Sequence, residues 1–188
     1  TFTTGDKTGW NFIANPFTTN YDWDNATKPA SNFSTAYYVW NGTNYLSRNA
    51  GTGTAGQYIA PGQAFFVQTQ SGWSDGTNLT FAIASVDVTG SGSFNKANSL
   101  KDEVLLTFSE NNGTYQDQLI VKFEGTSTPQ FDGNWDAHKL INGPGVPNAW
   151  VKLNNAELSL CTTPATITDL PISFKDDDAN QMITVTLN

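Results

Sequence analysis

Aromatic residues in polar loops are the side chains of this chain best suited to contact a ligand. Trp23 lies in NYDWDN, Trp73 in SGWSDG, Trp150 after GPGVPNA and Tyr115 in NNGTYQD, each beside small polar residues that cannot cover a ring. An exposed aromatic ring offers apolar area of order 150 to 250 Å², and the C–H face of a sugar can stack on it. The alternative is that these rings fold back and cap the ends of the molecule.

Polar residues beside these rings have the hydrogen-bonding groups that sugar hydroxyls require. They are Asp22, Asp24, Asp75 and Asn148. Carboxylates accept hydrogen bonds and amides both donate and accept them. The pattern therefore predicts a carbohydrate-binding surface whose partner is a polysaccharide or oligosaccharide.

Two acidic loops could hold a metal ion. FDGNWDA contains Asp132 and Asp136, and KDDDAN contains Asp176, Asp177 and Asp178. Calcium takes six to eight oxygen ligands, although neither loop follows the twelve-residue calcium-binding pattern. We expect Asp132, Asp136, Asp176 and Asp178 to be the ligands if a structural calcium ion is bound; solvated turns are the alternative.

Catalytic signatures are absent from the sequence. A nucleophile activated by histidine would depend on His138 alone, and Cys161 ends an apolar run and is typical of a small core residue. Neither GxSxG nor HExxH occurs. Glycoside hydrolysis needs two carboxylates close in space, which spacing along the chain does not report. We predict that the chain is not an enzyme.

Composition favours β-structure. Aromatic residues make up 13% of the 188 residues, charged residues only 14%, and 16 glycines are present. Aromatic and β-branched residues suit a pleated surface, whereas Gly and Asn suit turns. The net charge of -8 repels phosphate backbones and argues against nucleic acid as a partner.

The ends and the hydropathy of the chain add further expectations. No apolar run approaches the roughly 18 residues of a membrane-spanning helix, so we predict no membrane insertion. The sequence starts at Thr1 without Met, which suggests a piece of a longer multidomain polypeptide. We expect it to be monomeric.

Residues 56 to 70 provide the anchor of the predicted fold. The apolar run 64–67 follows Pro61-Gly62 and is typical of a strand buried on both faces in the middle of a sheet. Four aromatic residues of the predicted strands are expected to fill the core: Trp10, Trp40, Phe65 and Phe66.

Other strands follow from alternation and turn signals. Asn41-Gly42 predicts a hairpin, and 111–113 predicts another in which Val104, Leu106 and Phe108 face Leu119, Val121 and Phe123. Leu79, Phe81 and Ile83 are expected on the buried face of a further strand.

Together these signals predict an all-β fold, a two-layer antiparallel β-sandwich resembling a jelly roll, with roughly a dozen short strands and no major helix. We expect residues 1–188 to form a single domain, with a possible internal loop boundary at 87–102.

The order of the motifs resembles a known family. GWNFIANPF, YYVWNGTNY, IAPGQAFFVQ, DEVLLTFSENNGTYQDQLIVKF, FDGNWDAHKL and LPISF occur in this order, which is similar to a β-sandwich domain of secreted and surface proteins of Bacteroidetes. In those proteins the domain commonly precedes the C-terminal sorting domain of type IX secretion. The resemblance implies a secreted or cell-surface, extracellular domain beside enzymes or adhesins. His138 stands where family members often have tyrosine.

Three functions agree with these observations. The first is a non-catalytic accessory domain that binds carbohydrate. The second is a structural spacer or presentation module without its own ligand. The third is a protein-binding adhesin module, which a large exposed apolar patch or an open sheet edge would favour.

Overall fold

Short strands dominate the architecture. A computed structural model describes residues 9–70, 72, 78–87, 102–110, 114–176 and 182–188. The strands within them are β1 Trp10–Ala14, β2 Asn20–Asp22, β3 Phe33–Trp40, β4 Tyr45–Asn49, β5 Thr52–Gly53, β6 Tyr58–Ile59, β7 Ala64–Thr69, β8 Val86–Asp87, β9 Glu103–Glu110, β10 Gln116–Phe123, β11 Ala137–His138, β12 Asn148–Leu153, β13 Ala156–Thr163, β14 Ile172–Lys175 and β15 Ile183–Leu187. A single 3-10 turn, Ile83–Ser85, is the one helical element in these ranges. The all-β prediction is confirmed.

Three sheets are formed. The first half of the chain gives a five-stranded sheet, ordered β1-β7-β3-β4-β5, and a three-stranded sheet, ordered β6-β2-β8. The second half gives a seven-stranded sheet, ordered β14-β12-β13-β10-β9-β15, with β11 paired to β13. Neighbouring strands are antiparallel except for β10 and β13, which run parallel. The change from the first two sheets to the third falls within the boundary predicted at 87–102, of which 88–101 lies outside the described residues. The single-domain expectation stays a prediction.

The five- and seven-stranded sheets form the predicted sandwich. Successive residues of a strand point to opposite faces of its sheet, and in β3 both Tyr37 and Tyr38 are buried. The Tyr37 side shares a core with Phe65 and with Ile59 of the three-stranded sheet. The Tyr38 side packs on Ile120 and other residues of the seven-stranded sheet. The small sheet therefore covers the outer face of the five-stranded one.

The anchor strand lies inside its sheet, but it is not the strand buried on both faces. It forms β7, between β1 and β3, and alternates: Phe65 and Val67 are buried whereas Phe66 is partly exposed. The neighbouring strand β3 is buried on both sides, as are β4 and β13. Phe66 differs because the seven-stranded sheet covers only part of the face on which it lies.

Both hairpins form. β3 and β4 pair around Asn41–Asn44, where Gly42 has a φ of +101° and the Asn41 carboxamide oxygen accepts the Thr43 and Asn44 N–H groups at 2.8 and 2.9 Å. This is the left-handed conformation that glycine tolerates.

The second hairpin differs from its prediction at one end. β9 and β10 pair with Leu106 opposite Leu119 and Val104 opposite Val121. Phe108 faces Asp117 rather than Phe123, which is exposed. The predicted turn, 111–113, lies outside the described residues.

The strand expected around Leu79, Phe81 and Ile83 is not formed. Residues 78–82 are irregular and lead into the 3-10 turn. Leu79 and Phe81 still pack against the first core, but Ile83 is largely exposed. The 3-10 turn breaks the alternation, so Ile83 no longer shares a face with the other two.

A buried polar seam joins the two halves of the chain. The Asn49 amide donates to the Asp136 carbonyl oxygen at 2.7 Å, and the Ser47 and Ser159 hydroxyls are 3.0 Å apart. The Tyr45 N–H donates to the Asn142 side-chain oxygen at 3.1 Å. Buried polar groups are costly unless paired, so these contacts fix where the seven-stranded sheet sits on the five-stranded sheet.

Across the ranges that the structure describes, no helix has the length and apolar character needed to cross a membrane.

Candidate functional site

The uncovered end of the five-stranded sheet carries four aromatic side chains, Phe12, Phe66, Tyr45 and Trp40, which we call the aromatic strip. Strand register sets their positions: Phe12 lies opposite Phe66 on β1 and β7, and Trp40 lies opposite Tyr45 on β3 and β4. Phe12 is 66% exposed and Trp40 is 43% exposed, while the other two rings are partly buried. The strip therefore presents apolar area to solvent.

Contacts between its own rings hold the strip together. Ring centroids are 4.7 Å apart for Phe12 and Phe66, 6.0 Å for Phe66 and Tyr45, and 4.9 Å for Tyr45 and Trp40. Their planes meet at 38°, 79° and 61° respectively. Tilted and edge-to-face contacts are the arrangement that aromatic quadrupoles favour. The strip is thus supported by its neighbours and its outer surface stays available.

The core prediction holds for Phe65 and is wrong for Trp40. Phe65 is buried, whereas Trp10 and Phe66 are half-buried. Trp40 is the last residue of β3 and lies beyond the part of the sheet that the second sheet covers. Sequence shows the strand but not how far the opposite layer extends.

A cleft of about 680 Å³ adjoins the strip. Trp10 and Gln68, a cross-strand pair of β1 and β7, line it. This pair lies two residues along from Phe12 and Phe66 and on the same face of the sheet. Cleft and strip are therefore parts of one surface.

The remaining walls come from the seven-stranded sheet. Asn154 and Asn155, in the turn between β12 and β13, line the cleft together with Lys152 and Glu157 on either side of that turn. Ile141 belongs to the lining as well, and its neighbour Asn142 accepts the Tyr45 N–H. The cleft combines one indole ring with several amide and charged side chains.

Gln68 lines the cleft, but its side-chain oxygen is buried. Its Oε1 atom is shielded from solvent and has no hydrogen-bond partner among the residues described. A buried polar atom left unpaired costs free energy of about 1 to 3 kcal/mol.

Little net charge faces the cleft. Burial lowers the pKa of His138, whose ring stacks on Phe131 with centroids 4.1 Å apart, so the imidazole is neutral at neutral pH. The Lys139 ammonium is held by Asp117 at 2.7 Å. Lys152 and Glu157 are cross-strand neighbours of opposite sign. The lining suits an uncharged, hydroxyl-rich molecule.

Trp23 is not an exposed platform. It is 1% exposed, its Nε1 donates to the Thr35 carbonyl oxygen at 2.7 Å, and its ring packs edge-on against Tyr37 and Phe65. Its polar neighbours in sequence suggested exposure, but the rings that cover it come from distant strands. The prediction for Trp23 is wrong.

Asp22 and Asp24 are engaged inside the protein. Asp22 accepts hydrogen bonds from the side chains of Asn25 at 2.7 Å and Gln57 at 3.0 Å. Asp24 forms a two-pronged ion pair with Arg48, whose Nη2 is 2.6 Å and Nε 3.0 Å from the carboxylate. Both carboxylates therefore serve the fold, which corrects the expectation that they lie free in an exposed loop.

Loss of the Asp24 carboxylate should destabilise the fold. Arg48 is buried, and Asp24→Ala would leave its guanidinium with only the Gly51 and Ala55 carbonyl oxygens. We expect the free energy of unfolding to fall by about 2 kcal/mol, since a buried cation loses its counter-charge. Urea unfolding of the variant measures this, with exposed Asp169→Ala as the control, expected to change by less than about 0.5 kcal/mol. Equal free energies of unfolding for the two variants would contradict the structural role of the Asp24 carboxylate.

The other carbohydrate candidates lie apart from the strip. Trp150 is half-buried within β12 rather than in a loop, and Asn148 is buried, accepting the Asn142 N–H at 2.7 Å, which corrects its predicted role. Tyr115 is exposed, as predicted, beside the first residue of β10. Trp73 and Asp75 lie outside the described residues.

The proposed calcium ligands are partly used by the backbone. The Asp136 carboxylate accepts the N–H groups of Asp132 at 2.8 Å and Thr162 at 2.7 Å, and Asp132 accepts the Asn134 N–H at 2.9 Å. Asp176 is partly buried, whereas Asp177 and Asp178 fall outside the described residues. Within the described ranges no three acidic, His or Cys side chains come together as a metal site. Calcium binding stays a prediction.

The pKa of Asp136 distinguishes a buried carboxyl group that serves the fold from an ionised calcium ligand. Burial raises the pKa of Asp136 to about 6 despite its two backbone hydrogen bonds. This native pKa lies above the ordinary value, so the protonated Asp136 carboxyl group stabilises the folded state. That contribution to the free energy of unfolding is complete below about pH 4 and is lost as the pH rises through 6. We expect its carboxyl carbon to titrate by NMR near 6 in the absence of calcium, and binding of calcium by this carboxylate would lower that midpoint. A midpoint near 4 in the absence of calcium would contradict the burial of the Asp136 carboxyl group.

The fold defines an all-β sandwich protein with an exposed aromatic strip beside a polar cleft. No family model, no curated protein and no solved structure matches the chain.

Proposed function

We propose that this domain is a non-catalytic carbohydrate-binding module and that the aromatic strip and the cleft form its binding surface. The exposed strip carries the proposal, because Phe12 and Trp40 leave apolar rings in solvent on one sheet face. Sugar C–H faces stack on such rings, and the amides and carboxylate of the cleft can bind hydroxyl groups. These residues replace Trp23, Asp22, Asp24 and Asn148, which serve the fold.

We propose an extracellular setting for this activity. The support is the order of sequence motifs, which resembles the Bacteroidetes domain that accompanies secreted enzymes and adhesins. In that setting the module would hold a neighbouring catalytic or adhesive domain close to polysaccharide.

Affinity electrophoresis and calorimetry test the proposal. The panel is cellulose, xylan, mannan, laminarin and chitin, as soluble polymers or oligomers. We expect at least one of them to bind. Absence of binding to every glycan of the panel would overturn the proposal in favour of a spacer without its own ligand.

A protein-binding module is the second candidate. β15 lies at one edge of the seven-stranded sheet as described, and Val185 and Leu187 are exposed on it. An open edge can pair with an extended segment of another protein. This candidate would be favoured if the Trp40→Ala variant still binds a partner protein and the Val185→Pro variant does not.

A further inference from the structure

We infer that two copies of this chain pair through β15, antiparallel along Ile183–Leu187, with Val185 of one copy opposite Val185 of the other. The inference departs from the expectation that the chain is monomeric, and it is independent of the carbohydrate site. The aromatic strip lies on the other main sheet, so pairing leaves one strip on each copy. Three features of β15 support the pairing: its outward backbone groups, its lack of charge and its sequence symmetry.

The outer edge of β15 has no strand partner in the part of the chain that the structure describes. β15 pairs with β9 and is the last strand in the order of its sheet. Asn188 and Leu105 exchange both of their backbone hydrogen bonds, at 3.0 and 3.2 Å. Bonded and non-bonded pairs alternate along an antiparallel ladder. The N–H and C=O groups of Ile183, Val185 and Leu187 therefore point away from β9.

β15 lacks the features that usually keep an exposed edge from pairing. Its residues, ITVTL, include no charge, proline or glycine, and its register with β9 has no bulge. Val185 and Leu187 are 52% and 69% exposed. Soluble proteins protect edge strands with charges, prolines, bulges or short length. β14, at the opposite edge of the same sheet, follows Pro171 and ends at Lys175. β15 is therefore the unprotected edge of the two.

The sequence of β15 fits a second copy of itself. A two-fold interface places the same strand on both sides, so each residue must suit its own symmetry partner. With Val185 opposite Val185, Ile183 lies opposite Leu187 and Thr184 lies opposite Thr186. Apolar residues then meet on one face and threonines on the other, which are pairs that stabilise neighbouring strands. The outward backbone groups also fall opposite one another, so a second copy satisfies both requirements.

The size of the interface predicts weak association. One pair of five-residue strands buries less than the roughly 1,200 Å² of a standard stable interface. Each copy carries a net charge of -8, and salt screens the repulsion between copies, whereas β15 itself has no charge to be screened. We therefore expect a dimer that forms only at high protein concentration and strengthens as salt is added.

Analytical ultracentrifugation of the 188-residue chain tests the inference. We expect monomer at about 10 µM chain and a mixture of monomer and dimer at about 500 µM. The dimer fraction should be larger at about 500 mM salt than at about 50 mM. Val185→Lys and Val185→Glu should each stay monomeric, since like charges directly opposite one another destabilise a strand pair. Val185 is exposed, so both variants should fold, which circular dichroism checks.

Mixing the two variants tests the register. In the proposed pairing the new lysine of one copy lies opposite the new glutamate of the other, so the equimolar mixture should regain the dimer. Ile83→Lys is the matched control, because it adds the same charge at another exposed apolar residue, on the 3-10 turn. It should dimerise as the parent does.

The possible outcomes are distinct. A parent that stays monomeric at about 500 µM, or a dimer that Val185→Lys leaves intact, would overturn the inference. A mixture of the two folded variants that fails to dimerise would overturn the register of Val185 on Val185. A parent that stays monomeric but pairs this edge with an extended segment of another protein would also overturn it. These measurements use no glycan, so their failure leaves the proposed function untouched.

Discussion

We expect Asp117→Ala to lower the free energy of unfolding by about 3 to 5 kcal/mol, the range for removing one partner of a buried ion pair. Asp117 and Lys139 are both fully buried, 2.7 Å apart, and the Asp117 carboxylate also accepts the Ala149 N–H at 2.6 Å. The variant would leave an ammonium group and a backbone N–H unpaired away from water. Chemical denaturation at pH 7 measures the loss.

The pH dependence of this loss adds a second test. Burial lowers the pKa of Lys139, and the Asp117 carboxylate opposes that effect. Without Asp117 the lysine can escape the cost by releasing its proton, which is easier at high pH. We therefore expect the loss relative to the parent to be larger at pH 6 than at pH 9.

Two controls accompany the ion-pair prediction. Asp169→Ala, on an exposed loop, should change stability by less than about 0.5 kcal/mol. Replacing both partners, as Asp117→Leu with Lys139→Met, should recover part of the loss because no buried charge remains. A loss below about 1 kcal/mol for Asp117→Ala would show that the pair is hydrated in solution.

We expect Trp40→Ala and Phe12→Ala each to weaken binding of the oligosaccharide of the panel that binds most tightly about tenfold, and the double variant about a hundredfold. An aromatic ring that stacks on a ligand contributes about 1 to 3 kcal/mol where such contacts have been measured with nucleic-acid bases. Both residues are exposed, Phe12 by 66% and Trp40 by 43%, so their removal should cost less stability than removal of a core ring. Calorimetry on the folded variants measures the affinities.

Tyr115→Ala is the matched control for the strip. It removes an exposed ring of similar size that lies beside β10 of the other main sheet. We expect it to bind the oligosaccharide as the parent does. Loss of binding in Tyr115→Ala, with full affinity in the two strip variants, would move the site away from the strip.

The sequence was sufficient to predict elements governed by local chemistry. Asn41-Gly42 marks the first hairpin because glycine tolerates positive φ there. Alternating apolar residues placed Leu106 and Leu119 on facing positions of β9 and β10. Phe65 fell in the core because its short apolar run lies within a strand flanked on both sides.

The site depended on information that local sequence does not contain. Trp23 has polar neighbours along the chain, yet Tyr37 and Phe65 cover it in space. Trp40 lies in an apolar strand and is nevertheless exposed, because the opposite layer ends before it. The Trp10 and Gln68 pair depends on the register of β1 with β7. Exposure of a ring is decided by long-range packing of the layers, so the neighbours of a residue along the chain did not predict which rings are exposed.

Indole N–H signals in a nitrogen-15 NMR spectrum test the central claim most directly. The chain has six tryptophans, and those of the strip and cleft are Trp40 and Trp10. On addition of the oligosaccharide of the panel that binds most tightly, we expect these two signals to shift together while the Trp23 signal stays in place. Binding that leaves Trp10 and Trp40 unmoved and shifts only residues elsewhere would contradict the account.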